Sequence, residues 1–567
     1  MENRKITIRH RLSPLLPAAL LFVLAYLLPS GTRVMIRPDE FRYAEIPREM
    51  LASGNWMRPR LNGVKYFEKP VLGYQLTALN LRLFGETPFA VRLASVLGTL
   101  LAAATVYLVC RRDRRDRIWP GVAVCVFLAF GLVLGVGSYA VLDAAFSGAV
   151  TASIGAIQLS WRSKRRTGRI GWLAAAGVFA AGAFMIKGFL AFILPAAAIG
   201  PWLLWNREWK KLLTWPWLPL VAAAVIAVPW ALVQHRAEPD FWRYFFIEEH
   251  WKRFTSGTYD RDPQPFWYFI PVLLGGVLPA GLLWFAGYAG VVKAWLKRPE
   301  VRCQLCWALF PFLLFSAASC KLGTYILPCF PPLALLLTGA LRNARRRDRV
   351  GFGKRLRRIG RCIGAGVLLV AAVAILAAVA VAVVPALKPL RVWINHWSVL
   401  TVAALAVWSA ALYRRSGSGK LRTLWLLLTG FAPAVCFGMA AIPAAGMGSR
   451  TPEAGLRQCL RRFPDHAECR IAVERTCIAP VCWVTKRSDL IVAGNKLGEL
   501  RYGLTNYPAE YAGRHFDNRE FPRLVAETPR GKLLYVTFYD LKKRPLPKNW
   551  PTPLERHTAA GVTVLRF

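Results

Sequence analysis

Acidic residues are scarce in this sequence of 567 residues, which has 31 Asp and Glu against 75 Lys and Arg and a formal net charge of +44. On a soluble protein, such an excess of positive charge would indicate a nucleic-acid partner. Here the basic residues stand in short blocks between long apolar runs, 55% of the residues are hydrophobic, and the mean hydropathy is +0.34. This arrangement is typical of a polytopic membrane protein and argues against nucleic-acid binding.

A signal-peptide cleavage site, a phosphate-binding glycine loop beside a strand and a convincing internal repeat are also missing. Because no small-residue cleavage site follows it, we expect the apolar run Pro14–Pro29 to be retained as the first membrane span. The missing glycine loop fits chemistry that uses no nucleotide. The missing repeat argues against a transporter, whose two halves are often related.

Long apolar segments predict the fold class, because a bilayer-crossing helix needs about 20 mainly apolar residues. Thirteen segments qualify, near residues 14–30, 88–110, 118–138, 140–160, 170–187, 188–205, 213–233, 266–290, 303–319, 323–341, 362–386, 398–413 and 422–442. We therefore predict a polytopic α-helical membrane protein with about 13 transmembrane helices, spanning residues 1–442.

The basic blocks predict the orientation of these helices. Dense blocks follow the even-numbered spans, among them 111–117 and 414–422, and further basic residues precede the first span: Arg4, Lys5, Arg9 and Arg11. The positive-inside rule places these connections and the N-terminus in the cytoplasm and the C-terminus outside.

The segment 443–567 has a different composition and predicts a soluble α/β domain on the outer side of the membrane. "RIAVERT", "PVCWVTK", "KLLYVTFYDL" and "GVTVLRF" are rich in strand-forming residues and are separated by Gly, Pro and Asn. In an oxidising compartment one or two disulfides are expected among its four cysteines, Cys459, Cys469, Cys477 and Cys482.

Unusual polar residues collect on the predicted outer side. The first outer loop, residues 31–87, contains "RPDEFRYAEIPREM" (37–50), with Asp39, Glu40, Arg42, Tyr43 and Glu45. Later outer connections contribute polar residues at or near the ends of apolar helices, namely Asp143, Lys187, His250, Arg253, Lys321 and Tyr325. Such residues are costly near the hydrocarbon, so their collection on one side indicates a functional pocket.

Structural explanations are available for several of these residues. Asp39 could be a helix N-cap after Pro38, and Arg42 and Glu45 could form a surface ion pair on a helix. Lys187 and Lys321 could extend to the headgroup layer, which is the favoured interpretation of Lys187.

His250 could be a solvent-facing loop residue, whereas Asp143 has the weakest structural explanation. A carboxylate in or at the edge of an apolar helix is a functional candidate.

The segment "PVLGYQLTALNLRLF" (70–84) is too short to span a membrane and places Leu72, Leu76, Leu79 and Leu83 on one stripe. A helix of this kind lies in the membrane interface. It would cover a cavity suited to an amphiphile with an anionic head, whose phosphate would be held by cations. The candidates are Lys69, Lys321, Arg253 and Arg42.

Three motifs, "PDEFRYAEIPREM", "YFEKP" and "KLGTYILP", together with an Asp at the start of a later span, resemble the GT-C glycosyltransferases over roughly residues 1–440. Within that class the sequence is most similar to the bacterial lipid A aminoarabinosyltransferases and next to the protein O-mannosyltransferases. The resemblance implies a GT-C membrane domain, followed by a periplasmic domain, in the bacterial inner membrane.

The implied activity is the transfer of 4-amino-4-deoxy-L-arabinose from undecaprenyl phosphate to lipid A phosphates, which gives resistance to polymyxin and other cationic peptides. A protein O-mannosyltransferase or another polyprenyl-phosphate sugar transferase is the alternative, and a lipid-linked sugar transporter is a third.

The resemblance also implies roles for individual residues. Asp39 is similar to the first catalytic acidic residue and Asp143 to the second. Lys69, Arg253 and Tyr325 would hold the donor phosphate, with Arg42 and Lys321 as further candidates. Glu40, Tyr43 and Glu45 would line the pocket. Glu68 and His250 are a candidate pair for a divalent metal, because carboxylate and imidazole suit zinc.

Overall fold

The structure, a computed structural model, describes residues 15–111, 118–255, 263–415, 421–443 and 447–567. The basic residues before residue 15 lie outside these ranges, as do most residues of the blocks 111–117 and 414–422. The described residues fall into two compact units. The helical unit runs to Gly31 and includes Leu93–Lys388 and Ile394–Ala441; the loop–tail unit comprises Thr32–Arg92, Pro389–Trp393 and Ile442–Phe567. The predicted domain boundary at residue 442 stays a prediction.

Long apolar helices dominate the chain and confirm the predicted fold class. Among the described residues, nine helices are long and apolar enough to cross a membrane: Pro88–Cys110, Leu142–Arg162, Arg166–Lys187, Trp209–Ala237, Pro299–Ala317, Gly323–Arg347, Arg349–Val383, His396–Arg414 and Leu421–Ala440. Four shorter apolar helices are Leu16–Thr32, Ile118–Leu128, Leu190–Trp205 and Phe266–Gly276. Each predicted span coincides with one of these helices, but thirteen crossings stay a prediction because four helices are short.

The segments that follow the short helices Ile118–Leu128 and Phe266–Gly276 contact each other. The segment predicted at 118–138 divides into Ile118–Leu128 and Gly131–Gly137, with Phe130 extended between them. Phe130 forms a β-bridge with Pro279, and the Gly131 N–H donates to the Leu278 carbonyl at 2.6 Å. A Cβ on Gly131 would lie 2.7 Å from that oxygen, so only glycine permits this approach.

Close helix packing holds the Leu142–Arg162 helix against Pro88–Cys110. A Cβ on Gly148 would lie 2.2 Å from the Gly98 carbonyl oxygen, and one on Gly98 would lie 2.4 Å from the Ala145 Cα. Small residues allow this backbone contact, as is common between membrane helices. The contact fixes the end of the helix that carries Asp143.

Shorter helices lie between the apolar ones. They include Phe241–Arg243, the π-helix Tyr244–Lys252, Arg253–Thr255, Trp284–Gly287, Lys293–Leu296 and the 3₁₀ segments Ala280–Leu283 and Pro385–Trp393, the last of which belongs in part to the loop–tail unit.

The loop part of the loop–tail unit contains two helices, Asp39–Ser53 and Leu72–Phe84, and a hairpin of β1 (Arg60–Leu61) and β2 (Val64–Lys65). Leu76, Leu79 and Leu83 are exposed on the second helix, as an interfacial helix requires.

The hairpin turn is built from Asn62 and Gly63, whose φ values are 56° and 72°. Asn-Gly is the preferred pair for such a turn. The carboxylate of Glu49 accepts hydrogen bonds from both backbone N–H groups, at 2.5 and 2.8 Å. The Asn62 side chain also exchanges two 2.9 Å hydrogen bonds with the backbone of Leu490. Asn62 of the first loop is thus hydrogen-bonded to the backbone of the tail.

The tail forms a six-stranded sheet in the order β5-β4-β3-β6-β8-β7. The strands are β3 (Arg470–Val473), β4 (Ile491–Ala493), β5 (His515–Phe516), β6 (Leu533–Thr537), β7 (Glu555–Ala559) and β8 (Val562–Arg566). β3 to β6 pair in parallel, and β7 and β8 add an antiparallel hairpin at one edge. The helices are Glu453–Leu460, Ile478–Thr485, Arg501–Asn506 and Phe521–Ala526. The predicted α/β class of the tail is confirmed.

One segment of the tail differs from its prediction. "PVCWVTK" is rich in strand formers, yet it lies in the helix Ile478–Thr485 and its C-cap. This helix connects β3 to β4, and parallel strands require a crossover of this kind. Tertiary context therefore overrides the local preference.

The disulfide prediction is wrong for this structure. Cys459, Cys469, Cys477 and Cys482 are all buried free thiols. They occupy separate places in the packed interior, and burial raises the pKa of each thiol.

A buried ion cluster fixes the start of the Asp39–Ser53 helix. Glu40 is fully buried and accepts hydrogen bonds from Arg33 at 2.9 and 3.2 Å and from Arg92 at 2.7 and 2.8 Å. The Ile36 N–H adds a bond of 2.8 Å. Arg92 also donates to the carbonyls of residues 33 and 34. The Glu40 carboxylate thus connects Arg33 and Ile36, which precede the helix, to Arg92.

We expect Glu40→Gln to destabilise the protein by about 3–5 kcal/mol, because it removes the carboxylate charge that two buried guanidinium groups contact. Scanning fluorimetry of the purified protein should show a clear fall in melting temperature. Glu453→Gln is the matched control, since it breaks an exposed pair with Arg457 worth less than about 1 kcal/mol. Equal melting temperatures for the two variants would contradict the structural role of Glu40.

Candidate active site

Asp39 lies in the first turn of its helix, next to Arg42. The N-cap position belongs to Pro38, and the helix has no side-chain cap, so the N-cap interpretation of Asp39 is wrong. The carboxylate instead pairs with the Arg42 guanidinium, which also pairs with Glu499 of the tail. Asp39 keeps a third of its side-chain surface exposed, whereas Arg42 is buried. One guanidinium therefore holds two carboxylates.

The surroundings of Arg42 contain polar atoms without hydrogen-bond partners in the described structure. They are Arg42 Nε and the hydroxyl groups of Tyr66 and Tyr74, all buried. Burial lowers the pKa of Arg42, but attraction to Glu499, with smaller contributions from Asp39, outweighs it and raises the pKa overall. Burial also raises the pKa of both tyrosines, which therefore remain hydrogen-bond donors. Orphaned donors of this kind suit a polar ligand.

The Tyr43 ring packs beside Arg42 and the buried Tyr74. Its ring stacks on Tyr74 at 6.0 Å between centroids, and the Arg42 guanidinium lies 5.0 Å from its centre. Tyr66 meets Tyr74 edge-on at 6.4 Å. Asp39, Arg42 and Tyr43 are thus brought together, as the sequence predicted.

Glu40 and Glu45, by contrast, have scaffold contacts. Glu40 is enclosed by two arginines, as described above. Glu45 is fully buried and pairs with Arg48 through two hydrogen bonds of 2.6 and 2.8 Å. The helix therefore directs Glu40 and Glu45 into the interior, while Asp39 remains partly exposed.

Glu45 also belongs to a cluster with Glu49 and Cys482, whose potential metal-ligand atoms lie within 4.8 Å of one another. The carboxylate oxygens of this cluster already accept hydrogen bonds from the protein. Arg48 donates to Glu45, and backbone N–H groups donate to Glu49. The Cys482 thiol points to the Asn62 side-chain oxygen at 3.5 Å. Burial raises the pKa of both carboxyl groups. We assign this cluster to the scaffold.

A second cluster lies in the helical unit. Asp143, in the first turn of Leu142–Arg162, forms a 2.6 Å ion pair with Lys187, the last residue of Arg166–Lys187. Both side chains are largely buried, at 14% and 13% exposure. The ammonium group also lies 4.7 Å from the centre of the Tyr325 ring. The favoured interpretation of Lys187 as a headgroup-seeking residue is therefore wrong.

The two predicted phosphate-binding lysines, Lys69 and Lys321, donate to backbone carbonyls. Lys321 is buried and bonds to the Gln264 oxygen at 2.8 Å and to the Ala318 oxygen. Lys69 is half-buried and bonds to the Glu68 oxygen at 2.8 Å. Both contacts are made to backbone oxygens, and they fix the positions of the two ammonium groups.

Comparison with known proteins identifies the family. Residues 12–245 match the family model described as dolichyl-phosphate-mannose-protein mannosyltransferase. The chain is 37% identical, over 86% of each chain, to the undecaprenyl phosphate-alpha-4-amino-4-deoxy-L-arabinose arabinosyl transferase 2 of Proteus mirabilis. It is 35% identical, over 97% of each chain, to the corresponding transferase of Shewanella sediminis. The chain belongs to the undecaprenyl phosphate-aminoarabinose arabinosyl transferase family.

A solved member of this arabinosyl transferase family has the same fold. The crystal structure of ArnT from Cupriavidus metallidurans bound to undecaprenyl phosphate aligns with a TM-score of 0.76, at 26% identity and over 97% of each chain. The apo structure of the same protein aligns with a TM-score of 0.74.

The remaining predicted site residues of this arabinosyl transferase family member are Arg253, Glu68 and His250. Arg253 lies in the helix Arg253–Thr255, but its side chain is outside the described part of the structure. Glu68 is half-buried in the loop–tail unit. His250 is half-buried, and its Nδ1 lies 2.8 Å from the Phe245 carbonyl oxygen, which fixes Nδ1 as the donor nitrogen.

Sequence reasoning missed Glu499 entirely and misjudged Lys187. Glu499 lies 457 positions from Arg42, in a segment without any motif of the arabinosyl transferase family that we could place. Lys187 carried a usable signal, because an outer lysine beside a glycine needs an anionic partner and Asp143 was already a candidate.

Proposed function

We propose that this chain transfers 4-amino-4-deoxy-L-arabinose from undecaprenyl phosphate to phosphate groups of lipid A. Membership of the arabinosyl transferase family carries this proposal, since the relatives are named for this donor. The added amine offsets phosphate charge and would weaken the binding of cationic peptides such as polymyxin. The membrane is then the bacterial inner membrane, with the N-terminus cytoplasmic and the tail periplasmic. The basic blocks on the even-numbered connections support that orientation.

In the proposed reaction the bond between the anomeric carbon and the donor phosphate oxygen breaks, and a lipid A phosphate oxygen bonds to that carbon. Undecaprenyl phosphate leaves with the electron pair. Cations near the leaving phosphate lower the barrier as its charge develops. We assign this role to Lys69, Arg253 and Lys321. The Lys187 ammonium beside Tyr325 is a further cation, held in position by Asp143.

Asp39 acts by position in this proposal. A lipid A phosphate is ionised near neutral pH, so it needs no general base, whereas a serine hydroxyl would need one. The exposed part of the Asp39 carboxylate can accept a hydrogen bond from the sugar amine or stabilise positive charge at the anomeric carbon. Arg42 fixes the carboxylate, and Glu499 fixes Arg42.

The first test uses the purified protein in nanodiscs with lipid A and undecaprenyl phosphate-linked aminoarabinose, and mass spectrometry of the lipid A. We expect a mass gain for the wild type and none for Asp39→Ala. Asp489→Ala, which removes an exposed carboxylate paired with Arg487, should retain activity. The match to the mannosyltransferase family model makes protein mannosylation the competing activity. Gain on a serine- or threonine-bearing protein with a mannosyl donor, and none on lipid A, would overturn the substrate assignment.

We expect Arg42→Lys to lower kcat about 100-fold, because lysine cannot hold two carboxylates in one plane and Asp39 would shift. The KM for the donor should change little if Arg42 orients Asp39 and does not hold the donor. Arg60→Lys is the matched control, since Arg60 contacts Glu510 at 3.5 Å near the surface of the same loop. Full activity of Arg42→Lys, or an equal loss in both variants, would contradict the positioning role.

We also propose Glu68 and His250 as ligands of a divalent metal ion. The carbonyl contact of His250 Nδ1 leaves Nε2 as the lone-pair nitrogen that zinc would take. A metal at these residues would supply positive charge to the leaving phosphate.

Elemental analysis of the purified protein tests the metal directly. We expect about one zinc per chain in the wild type and a strongly reduced content in His250→Ala. His396→Ala is the control, because His396 begins a different helix and is no predicted ligand. Equal metal contents in all three proteins would contradict the assignment of His250.

A further inference from the structure

The parallel strands of the tail end at one edge of its sheet, which carries the loops that follow them. β4 ends at Ala493 and β5 ends at Phe516, and the Gly494 N–H donates to the Phe516 carbonyl at 2.9 Å. In open α/β sheets, ligands bind outside the carboxyl ends of the strands, next to the point where the strand order reverses. This edge is therefore where a binding surface of the tail is expected.

A residue of the first loop already contacts the reversal point of this sheet, between β3 and β6. The Arg37 guanidinium lies 4.9 Å from the centre of the Phe538 ring, directly after β6, and its Nη2 donates to the Ser449 hydroxyl at 3.2 Å. A ligand of the tail would therefore use the neighbouring loops of the same edge, after β4 and β5.

Three asparagines join the loops at that part of the edge. The Asn495 side-chain oxygen, after β4, accepts a 3.0 Å hydrogen bond from the Asn518 N–H, after β5. The Asn518 carbonyl accepts hydrogen bonds from the side chains of Asn549 at 2.7 Å and of Trp550 at 3.1 Å. Trp550 stacks on Phe521 in the core, at 3.6 Å between ring centroids. Three loops are thus held together and anchored to the core of the tail.

A basic residue is adjacent in sequence to each of these asparagines. These three residues, Lys496, Arg519 and Lys548, are here called the edge cations. All three are exposed, and none forms an ion pair in the described part of the chain. The two acidic residues beside Arg519, Asp517 and Glu520, accept hydrogen bonds from backbone N–H groups. The edge therefore presents three cations to solvent.

Exposed basic residues are common, and most of them are only solvated. Exposed cations without an ion pair in the described structure also occur in the tail before β3 and β6, at Arg461, Arg462 and Arg530. The edge cations differ because hydrogen bonds join their loops. Cations on loops that are already ordered can bind one ligand without a further loss of loop entropy.

The same edge also reaches the candidate active site. Lys496 and Glu499 lie in the connection after β4, and Glu499 pairs with Arg42, which holds Asp39. The Cα atoms of residues three positions apart are at most about 11 Å apart. The connection that carries an edge cation therefore also carries a residue of the candidate site.

Under the proposed function, two phosphate-bearing lipids meet at this site. Lys69, Arg253 and Lys321 are assigned to the phosphate of the donor, which leaves the phosphates of the acceptor without assigned cations. Two anionic lipids repel each other, so the acceptor needs positive charge of its own to come close to the donor.

We propose that the edge cations hold a phosphate group of the lipid A acceptor. This inference rests on the proposed function and gives the tail a role in acceptor binding. Lysine ammonium groups and the arginine fork are both suited to phosphate oxygens. The hydrogen-bonded loops keep the three cations on one surface, which a single head group can contact.

The test uses the full-length protein in nanodiscs, with lipid A varied at a saturating concentration of undecaprenyl phosphate-linked aminoarabinose. The edge variant replaces three exposed side chains, so its folding should be preserved. It is Lys496→Gln/Arg519→Gln/Lys548→Gln.

The control variant removes the same charge from exposed residues of the tail that precede β3 and β6, where those strands begin. It is Arg461→Gln/Arg462→Gln/Arg530→Gln. Scanning fluorimetry should give equal melting temperatures for the wild type and both variants.

We expect the edge variant to raise the KM for lipid A about tenfold, because it loses three exposed charge contacts. Its KM for the donor should change little, and the control variant should behave like the wild type. Added salt should raise the KM for lipid A more in the wild type than in the edge variant, because ionic strength screens exposed charges. Native mass spectrometry in detergent measures lipid A binding without catalysis, with phosphatidylglycerol as a competitor.

An unchanged KM and unchanged lipid A binding in the edge variant, or equal losses in both variants, would overturn the proposal. Displacement of lipid A by an equal concentration of phosphatidylglycerol would reduce the surface to a general contact with anionic lipids and would also overturn it. If the wild type transfers no sugar to lipid A, the proposed function fails. Lipid A binding that is lost in the edge variant alone would then still support this surface as a lipid A contact.

Discussion

The cost of burying charge governs the organisation of this protein. A buried carboxylate or guanidinium is tolerated only with a partner that supplies opposite charge and hydrogen bonds. Acidic residues are few here, and two of the buried ones each hold several basic or backbone groups. Glu40 binds two arginines, and Glu49 binds the turn of the hairpin. These contacts determine how the first loop folds and which residues it leaves for chemistry.

The same constraint separates scaffold from site within one helix. Glu40 and Glu45 have no exposed surface and are paired on the inside, whereas Asp39 is a third exposed. The three residues are close in sequence and look equivalent in composition. Their burial distinguishes them, because only a carboxylate with accessible surface can meet a substrate.

Much of the architecture was predictable from sequence, but the partners of individual charges were not. Apolar length located the long apolar helices of the described chain. The four tail cysteines are free thiols, and Cys482 packs against Asn62 of the first loop, a contact that cysteine spacing cannot reveal. Local pattern also cannot show that Glu499 would reach Arg42 across 457 positions. Periodicity identifies a face, whereas the partner of a charge depends on tertiary contacts.

The Asp39–Arg42–Glu499 arrangement has a consequence for substrate choice under the proposed function. Both carboxylates contact one guanidinium, and Asp39 keeps a third of its side-chain surface exposed. Aminoarabinose carries an amine that is cationic at neutral pH, whereas mannose carries none. Under the proposed function, the exposed part of the Asp39 carboxylate would attract that amine and would gain no such attraction from a neutral hexose. An arginine without carboxylates beside it would repel the amine, so the pairing of Arg42 makes this part of the first loop compatible with a cationic sugar.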